Sequence, residues 1–513
     1  MTSRDRWIQA TAATALITAL VGGTAGYGLR FRTDTYRRDL EQRLSLFFQL
    51  PTEVGRVEPH TLHSRVFRDV RIWLPDRRDR VFDCPLAIWT QAPGGRASGL
   101  QLDLVGGTLS IGSEQWLPED YRRVLRAAFT RNLADLDLRL VRFQGVDFAW
   151  PRRGARLTAE HVTGQVVFDG QRRGEAMLVA SSLNGVRVAE PVHIFALVRP
   201  EEDDFLPEVR LTVPKLPIAT LQLDQPLRAP VHSGRFEGTI VYRQHGEAET
   251  VHVSGRAEGL ALRELTAGAP FGPIDGWLQL RIEDSTIAGS PPVLESIRLS
   301  GQLDDLAIGP LLQRAGYRGV DGRAAVRIDQ LHLQGSQVRE LSAGGRLGGV
   351  SLEPLTGALG RGVIRGDLSV LLNSLRITDD QIATLDADLQ VRPPRNSPGT
   401  IDREMLLNTF TRLIGVSLPE QILPEKIEYA QIGAKLLANR GRLRVLGRVG
   451  PHGRAILVLR LLGQEVPVPP PTETFSIQPV LDDMQLRLRR LNRETIRRWW
   501  WSPPPSQPAS RTS

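Results

Sequence analysis

Apolar and polar residues alternate one by one along most of the chain after residue 60. In residues 385–392 (LDADLQVR) the odd positions are apolar and the even ones polar. Successive side chains of a strand point to opposite faces, so such a run predicts a strand with one apolar face. The same alternation recurs in residues 100–104, 136–140, 297–300, 326–329 and 442–445.

Glycine pairs separate these runs and predict turns between successive antiparallel strands. Gly106-Gly107 is expected to close a hairpin, and Gly344-Gly345 and Gly348-Gly349 are expected to be turns. Residues 455–462 (AILVLRLL) are apolar on both faces. That run predicts a strand covered on both sides, or the floor of a groove.

Three segments show helical rather than strand periodicity. Residues 38–50, 118–132 and 402–414 each place their apolar side chains on one face of a helix. The second of them carries four arginines on its other face, so it could lie on anionic lipid. The alternative is that each helix caps an open sheet.

The N-terminus holds one long uncharged segment. Residues 7–29 contain no charge, and at about 1.5 Å per residue they are long enough for a bilayer core of about 30 Å. We interpret them as a transmembrane anchor; a cleaved signal peptide is the alternative. Arginines flank both ends, so the distribution of positive charge does not decide the orientation.

The C-terminus ends in three adjacent tryptophans and a Pro/Ser-rich tail. Trp499, Trp500 and Trp501 follow Arg497 and Arg498. Tryptophan beside arginine is typical of a membrane interface. The alternative is a helix that packs on the last strands. The tail is expected to be disordered.

Charge and cysteine content exclude several classes of function. The 513 residues carry 65 basic and 57 acidic side chains, a net charge of +8, but these alternate along the strands. The body lacks a long basic run with interleaved aromatics, so we expect no nucleic-acid partner. One cysteine, Cys84, rules out an intrachain disulfide. We expect no metal and no cofactor.

Together these patterns predict a mostly β protein. It has an N-terminal transmembrane helix in residues 1–35 and an elongated, curved antiparallel sheet, shaped as a groove, in residues 36–480. A few amphipathic helices accompany the sheet. Residues 481–513 form the tryptophan-rich end and tail.

The order of these features resembles that of the AsmA-like and TamB-like bacterial envelope proteins. The resemblance lies in the apolar N-terminal segment, the amphipathic helix after it, residues 50–57 (LPTEVGRV) and residues 66–72 (VFRDVRI). Near the far end, residues 439–445 (NRGRLRV) are similar to a strand pattern of the same family. Between these points the similarity is limited to the general pattern of long alternating strands separated by glycine turns.

The resemblance implies an inner-membrane protein anchored through residues 7–29, single-pass, with its body in the periplasm. It implies binding or transfer of phospholipid acyl chains in an apolar groove, and a role in outer-membrane lipid homeostasis. Envelope protein partners are also expected. The residues expected to face the lipid are Leu299, Val326, Ile328, Leu389, Val391, Leu443 and Val445, and those expected at the membrane interface are Trp499, Trp500 and Trp501.

Two other classes of function remain as alternatives. A periplasmic assembly scaffold would bind proteins instead of lipid and would cover the apolar face with a second sheet. An enzyme would need converging catalytic side chains, and the sequence holds no nucleophile, metal or phosphate motif. We therefore expect a non-enzymatic protein with no catalytic residue.

Overall fold

A computed structural model describes most of the predicted β body. The described residues are 33–48, 50–61, 63–74, 79–91, 99–110, 138–152, 155–169, 174–201, 204–221, 231–245, 248–267, 273–288, 293–314, 317–335, 337–358, 362–395, 397–407, 423–448 and 454–476. The predicted anchor at 7–29, the predicted helix at 118–132 and Trp499, Trp500 and Trp501 lie outside them.

Strands dominate the described part of the chain, which confirms the mostly β prediction. They are β1 Thr52–Thr61, β2 Ser64–Trp73, β3 Arg80–Gln91, β4 Leu100–Val105, β5 Thr108–Ser110, β6 Leu138–Arg152, β7 Ala155–Phe168, β8 Gly174–Leu183, β9 Val186–Glu201, β10 Asp204–Pro217, β11 Arg235–His245, β12 Ala248–Ala261, β13 Trp277–Ala288, β14 Val293–Ala307, β15 Arg323–Gln334, β16 Gln337–Ser351, β17 Ile364–Arg365, β18 Asp367–Thr378, β19 Gln381–Arg392, β20 Gly399–Asp402, β21 Lys426–Asn439, β22 Arg442–Gly447, β23 Leu457–Leu461, β24 Gln464–Val468 and β25 Phe475–Ser476. Curvature of the sheet into a groove stays a prediction.

The described helices are short except for the first. They are Asp34–Phe48, a 3-10 turn at Ile218–Leu221, Leu262–Leu265, Gly309–Arg314, Leu352–Ala358 and Arg403–Met405. The first confirms the helix predicted at 38–50. Of the helix predicted at 402–414, a short turn at Arg403–Met405 is described, and residues 408–414 lie outside the described part. Within the described residues, no helix has both the length and the apolar character needed to cross a bilayer.

The chain divides into two compact units. Unit 1 comprises residues 1–214, 220–222 and 240–249, and unit 2 comprises residues 215–219, 223–239 and 250–513. β1 to β9 lie in unit 1 and β13 to β25 in unit 2. The prediction of a single body over 36–480 is not tested by this division.

Unit 1 contains a parallel strand pair, contrary to the all-antiparallel prediction. β1, β2 and β3 pair antiparallel, and so do β6 to β10 in succession. However, β4 and β5 both pair with β3, and both run parallel to β6. Gly106-Gly107 therefore separates two segments that share one position between β3 and β6, rather than closing a hairpin. A Cβ at Gly107 would collide with the carbonyl of Asp83 on β3, so glycine serves close approach there.

The first helix protects the free edge of unit 1. The backbone N–H of Thr52 on β1 donates to Ser45 Oγ at 2.9 Å, and that of Val54 donates to Glu41 Oε1 at 2.9 Å. An unpaired strand edge is a template for aggregation. Helix Asp34–Phe48 thus satisfies two amide groups that an edge strand would otherwise leave open.

Unit 2 is a succession of antiparallel strands. β12, β13, β14, β15, β16, β18, β19 and β21 pair in this order, and β21 then pairs with both β22 and β23. β24 pairs with β23, and β17 with β20. The predicted alternating runs at 297–300, 326–329, 385–392 and 442–445 all lie in these strands, as expected.

Two predicted turns of unit 2 are wrong. Gly344-Gly345 and Gly348-Gly349 lie inside β16. A Cβ at Gly345 would collide with the carbonyl of Ala325 on β15, so this glycine allows two backbones to approach. Gly349 has a φ of +69° and sits where the register shifts between Leu347 and Val350, as in a β-bulge.

One end of unit 2 holds a closed core. The cluster consists of Leu352, Ile364, Val391, Ile401, Met405, Leu406, Leu423, Ile427, Tyr429, Ile456, Leu457, Leu459 and Val468. Leu457 and Leu459 on β23 are both 0% exposed and Val458 is 6% exposed. Residues 457–459 are therefore covered on both sides, one of the two predicted alternatives, whereas Leu462 at the end of the predicted run is fully exposed after β23.

Candidate apolar binding face

The strand register of unit 2 aligns apolar side chains in rows that cross many strands. Paired residues of antiparallel strands lie on the same face of the sheet. One row runs Leu260, Leu278, Leu303, Val326, Gly345, Leu372, Ala387, Leu436 and Val445. The next row runs Ala257, Leu280, Gly301, Ile328, Ala343, Leu375, Leu385, Ala438, Leu443 and Phe475.

Two further rows flank these on the same face. One consists of Ile282, Leu299, Leu331, Leu341, Ile377 and Ile382. The other consists of Leu306, Ala324, Leu347, Val370, Leu389, Ala434 and Gly447. We name these four rows the apolar face. Every member is aliphatic or glycine except Phe475, and none is polar.

The structure brings six of the seven predicted lipid-facing residues onto this face. They are Leu299, Val326, Ile328, Leu389, Leu443 and Val445. Val391 lies beyond the fourth row, paired with Leu368 and Ile432. It is 5% exposed within the closed core, so its side chain is much less accessible than the other six. Whether any of them contacts lipid stays a prediction.

Sequence reasoning missed other members of the face, although their signal was present. Leu278, Leu280, Leu303, Leu372 and Leu375 stand at the same alternating positions of neighbouring strands. Bulges shift the register between Leu372 and Ser374, and between Ile282 and Asp284. Because a bulge breaks strict alternation, the pattern alone does not show that residues on either side of it share a face.

The large side chains of the apolar face are only half buried. The buried members are nearly all alanines, namely Ala257, Ala324, Ala343, Ala387 and Ala438, together with Leu260. Leu299, Val326, Ile328, Leu389 and Leu443 are all of intermediate exposure. In unit 1, by contrast, the inward valines are closed off, as with Val146 and Val162 at 0%. Ala434 and Val445 pack against the closed core, whereas these other large side chains of the apolar face stay only partly covered.

The opposite face of the same strands is mostly polar, with Trp277 and Leu371 as exposed apolar exceptions, and many of its polar groups are paired. Asn373 donates to Asp386 at 2.9 Å and to Asp388 at 2.8 Å. Lys435 lies 3.0 Å from Asp386, and Arg448 lies 3.2 Å from Asp388. The hydrogen bond from Asn373 and the ammonium group of Lys435 lower the pKa of Asp386. This face is thus suited to water, and its charges are neutralised locally.

Unit 2 also has a shallow cleft of about 370 Å³. It is lined by Lys215, Gly234, Arg235, Glu258 and Gly259. Lys215 Nζ lies 2.6 Å from Glu258, and Arg256 lies 2.7 Å from the same carboxylate. The hydrogen bond from Lys215 lowers the pKa of Glu258. The carboxylate is thus ionised and already paired, which suits a structural ion cluster better than a catalytic site.

Tyr429 is the most perturbed titrating group of the closed core. Its ring is 1% exposed, and its hydroxyl donates to the carbonyl oxygen of Arg365 at 2.8 Å. Burial, aided by the negative charge of Asp367, raises the pKa of Tyr429 to about 12. The raised pKa favours the neutral phenol in the folded state. This stabilisation is complete below the ordinary tyrosine pKa and is lost as pH rises through 12.

We expect Tyr429 to ionise last among the six tyrosines of the chain. The full chain and its Tyr429→Phe variant are titrated between pH 8 and 13, with absorbance at 295 nm. The difference between the two curves should contain a single step near pH 12, coupled to loss of the folded state. A difference step near pH 10 would show that the hydroxyl is solvated.

No protein-family model, curated protein or solved structure matches this chain. The candidate site thus rests on the geometry of unit 2. The described residues include no group of three His, Cys, Asp or Glu side chains placed to hold a metal ion. The one cysteine, Cys84, is fully buried, and burial raises the pKa of its thiol.

Proposed function

We propose that the chain is a non-enzymatic, AsmA-like envelope protein that binds or transfers phospholipid by its acyl chains on the apolar face. The observation that carries this proposal is the set of four aligned rows without a polar member, most of whose leucine, isoleucine and valine side chains are only partly buried. A contiguous apolar surface that is only partly covered is typical of a binding site.

The chemistry of the face favours acyl chains over a protein partner. Protein interfaces concentrate their binding energy in Trp, Tyr and Arg. The apolar face offers none of these, and Phe475 is its one aromatic residue. Each methylene removed from water contributes about 0.8 kcal/mol, so a long aliphatic chain gains affinity without any directional contact. A uniform aliphatic face supplies that interaction.

The placement of the protein follows from its N-terminal segment and the family resemblance. Residues 7–29 would anchor it in the inner membrane, with the β body in the periplasm. Residues 50–57 and 66–72, which carry part of the resemblance, form strands β1 and β2 next to helix Asp34–Phe48. That order of anchor, helix and paired strands supports the proposal of an envelope protein.

Photo-crosslinking of the full chain in bacterial cells tests the proposal. Benzoylphenylalanine replaces Val326 on the apolar face, and in a matched variant it replaces Arg327, the next residue of β15 on the polar face. Irradiation should attach phospholipid to the Val326 variant, detected by mass spectrometry, and not to the Arg327 variant. Lipid adducts at neither position, or crosslinks from Val326 to protein, would overturn lipid handling and favour the assembly scaffold.

A further inference from the structure

Unit 2 repeats one structural module. The backbone N–H groups of Leu262, Ile308 and Leu352 each donate to the carbonyl of a glycine 14 residues further on, at 2.9, 3.1 and 2.9 Å. These acceptors are Gly276, Gly322 and Gly366, spaced 46 and 44 residues apart. Each glycine directly precedes a long strand, β13, β15 or, in the third case, β18.

The side chains of the first and third copies repeat this arrangement. Thr266 Oγ1 donates to the carbonyl of Leu262 at 2.7 Å and accepts from the N–H of Ile274 at 2.9 Å. Thr356 makes the same pair of bonds, with Leu352 at 2.7 Å and Ile364 at 3.0 Å. In the second copy Leu312 replaces the threonine, and its N–H bonds to Ile308 at 3.0 Å.

The first and third copies have an ion pair at equivalent positions, but the acidic and basic residues are interchanged. Arg263 pairs with Asp275 at 2.7 Å in the first copy, and Glu353 pairs with Arg365 at 3.2 Å in the third. Both pairs join the residue after the helix start to the residue before the repeated glycine. The two copies thus keep a contact at the same place, with the acidic and basic partners exchanged.

The strand register repeats as well. The residue two positions after each repeated glycine has an equivalent partner in the three copies: Leu278 pairs with Leu303, Ala324 with Leu347, and Leu368 with Val391. Each hairpin shifts its register six residues after that glycine, at Ile282, Ile328 and Leu372. The register also shifts at equivalent positions between successive hairpins. The shift lies at Leu299/Gly301 where β14 pairs with β15, and at Ala343/Gly345 where β16 pairs with β18.

We infer that residues 262–307, 308–351 and 352–392 are three equivalent modules, and that each supplies an interchangeable part of the apolar face. This inference rests on the proposed function for its ligand, which is an extended acyl chain lying across the strands. Strands lie about 4.8 Å apart, so one module contributes roughly 10 Å of each row. No single module holds a dedicated lipid site.

Removal of one module tests the equivalence. Deletion of residues 308–351 joins Ala307 to Leu352, so that β14 replaces β16 beside β18. Gln302 then takes the place of Arg346, which pairs with Leu371. In the intact chain β15 and β16 separate Gln302 from Leu371. Both residues are exposed, and Leu371 is 51% exposed, so cysteine is tolerable at each.

The readout is a disulfide between Gln302→Cys and Leu371→Cys under mild oxidation. It should form in the chain from which residues 308–351 are deleted. It should not form in the intact chain that carries the same two substitutions. Deletion of Gln337–Ser351 alone is the control. It removes the single strand β16, and so reverses the direction of every strand that follows it in the sheet. A second variant carries an extra copy of 308–351 after Ser351. Failure of both module variants to fold would overturn the inference.

Lipid binding of the same variants tests the interchangeable face. Radiolabelled phosphatidylglycerol retained per chain should fall by roughly a fifth when two of the ten strands in the longest row are removed. It should rise by a similar fraction with the extra copy. Complete loss of lipid on deletion would overturn module equivalence. Absence of lipid from the intact chain would instead overturn the proposed function and leave the disulfide result standing.

Discussion

Replacement of Gly366 with alanine is expected to lower the free energy of unfolding of unit 2 by about 3 kcal/mol, as overpacking of a closed core does. A Cβ at this position would collide with the hydroxyl of Tyr429, and it would stand 2.9 Å from the carbonyl of Arg392. Tyr429 is held by its bond to Arg365 and by the surrounding core, so it cannot move aside. Urea unfolding of the full chain, followed by circular dichroism, measures the loss.

A double-mutant cycle separates this collision from a general effect of alanine. Tyr429→Phe removes the hydroxyl, so the loss in Gly366→Ala/Tyr429→Phe should be smaller than the sum of the single losses by about 1 kcal/mol or more. Gly399→Ala is the matched control, because its Cβ would stand 2.5 Å from Cζ of the ring itself. Tyr429→Phe should not rescue that variant. Additive losses at Gly366 would contradict this packing.

Placing a carboxylate on the apolar face is expected to lower lipid retention. Leu389→Asp puts a charge between Val370 and Ala434 in a row of aliphatic side chains, and Leu443→Asp does so beside Ala438. An acyl chain lying over either residue would have to desolvate the carboxylate, which costs several kcal/mol. Lipid extracted from the purified full chain and measured by mass spectrometry should fall, in each variant, by at least the fifth expected on removal of one module.

The control for this experiment lies on the same strand. Gln390→Asp introduces the same charge on the polar face of β19, where Gln390 accepts a bond from Arg392 at 3.3 Å. It should retain lipid at the level of the unmodified chain. Circular dichroism must show all three variants folded. A folded Leu389→Asp protein with full lipid content would contradict binding on the apolar face.

The strands of unit 2 were predictable because alternation is a local property. Residues 385–392 become β19 and residues 442–445 lie in β22, with their apolar positions on one face. A strand with one buried face needs an apolar residue at every second position, and this pattern is visible in the sequence. For the same reason six of the seven predicted residues lie together on the apolar face.

Glycine was the source of the main errors, because its sequence signal has two meanings. A glycine pair can mark a turn, or a place where two backbones approach too closely for a side chain. Gly345 and Gly107 are of the second kind, since Ala325 and Asp83 of neighbouring strands occupy the space of a Cβ. The neighbour belongs to a different part of the chain, so local sequence does not reveal which meaning applies.

The sequence by itself determined the β class of this protein, the position of its first helix and which strand residues are apolar. These depend on the periodicity of side chains within one element. Only the tertiary structure decided the parallel pairing of β4 and β5 with β6, the burial of Val391 in a closed core, and the half exposure of the remaining rows. Each of these depends on contacts between residues far apart in the chain, which pairing and packing create.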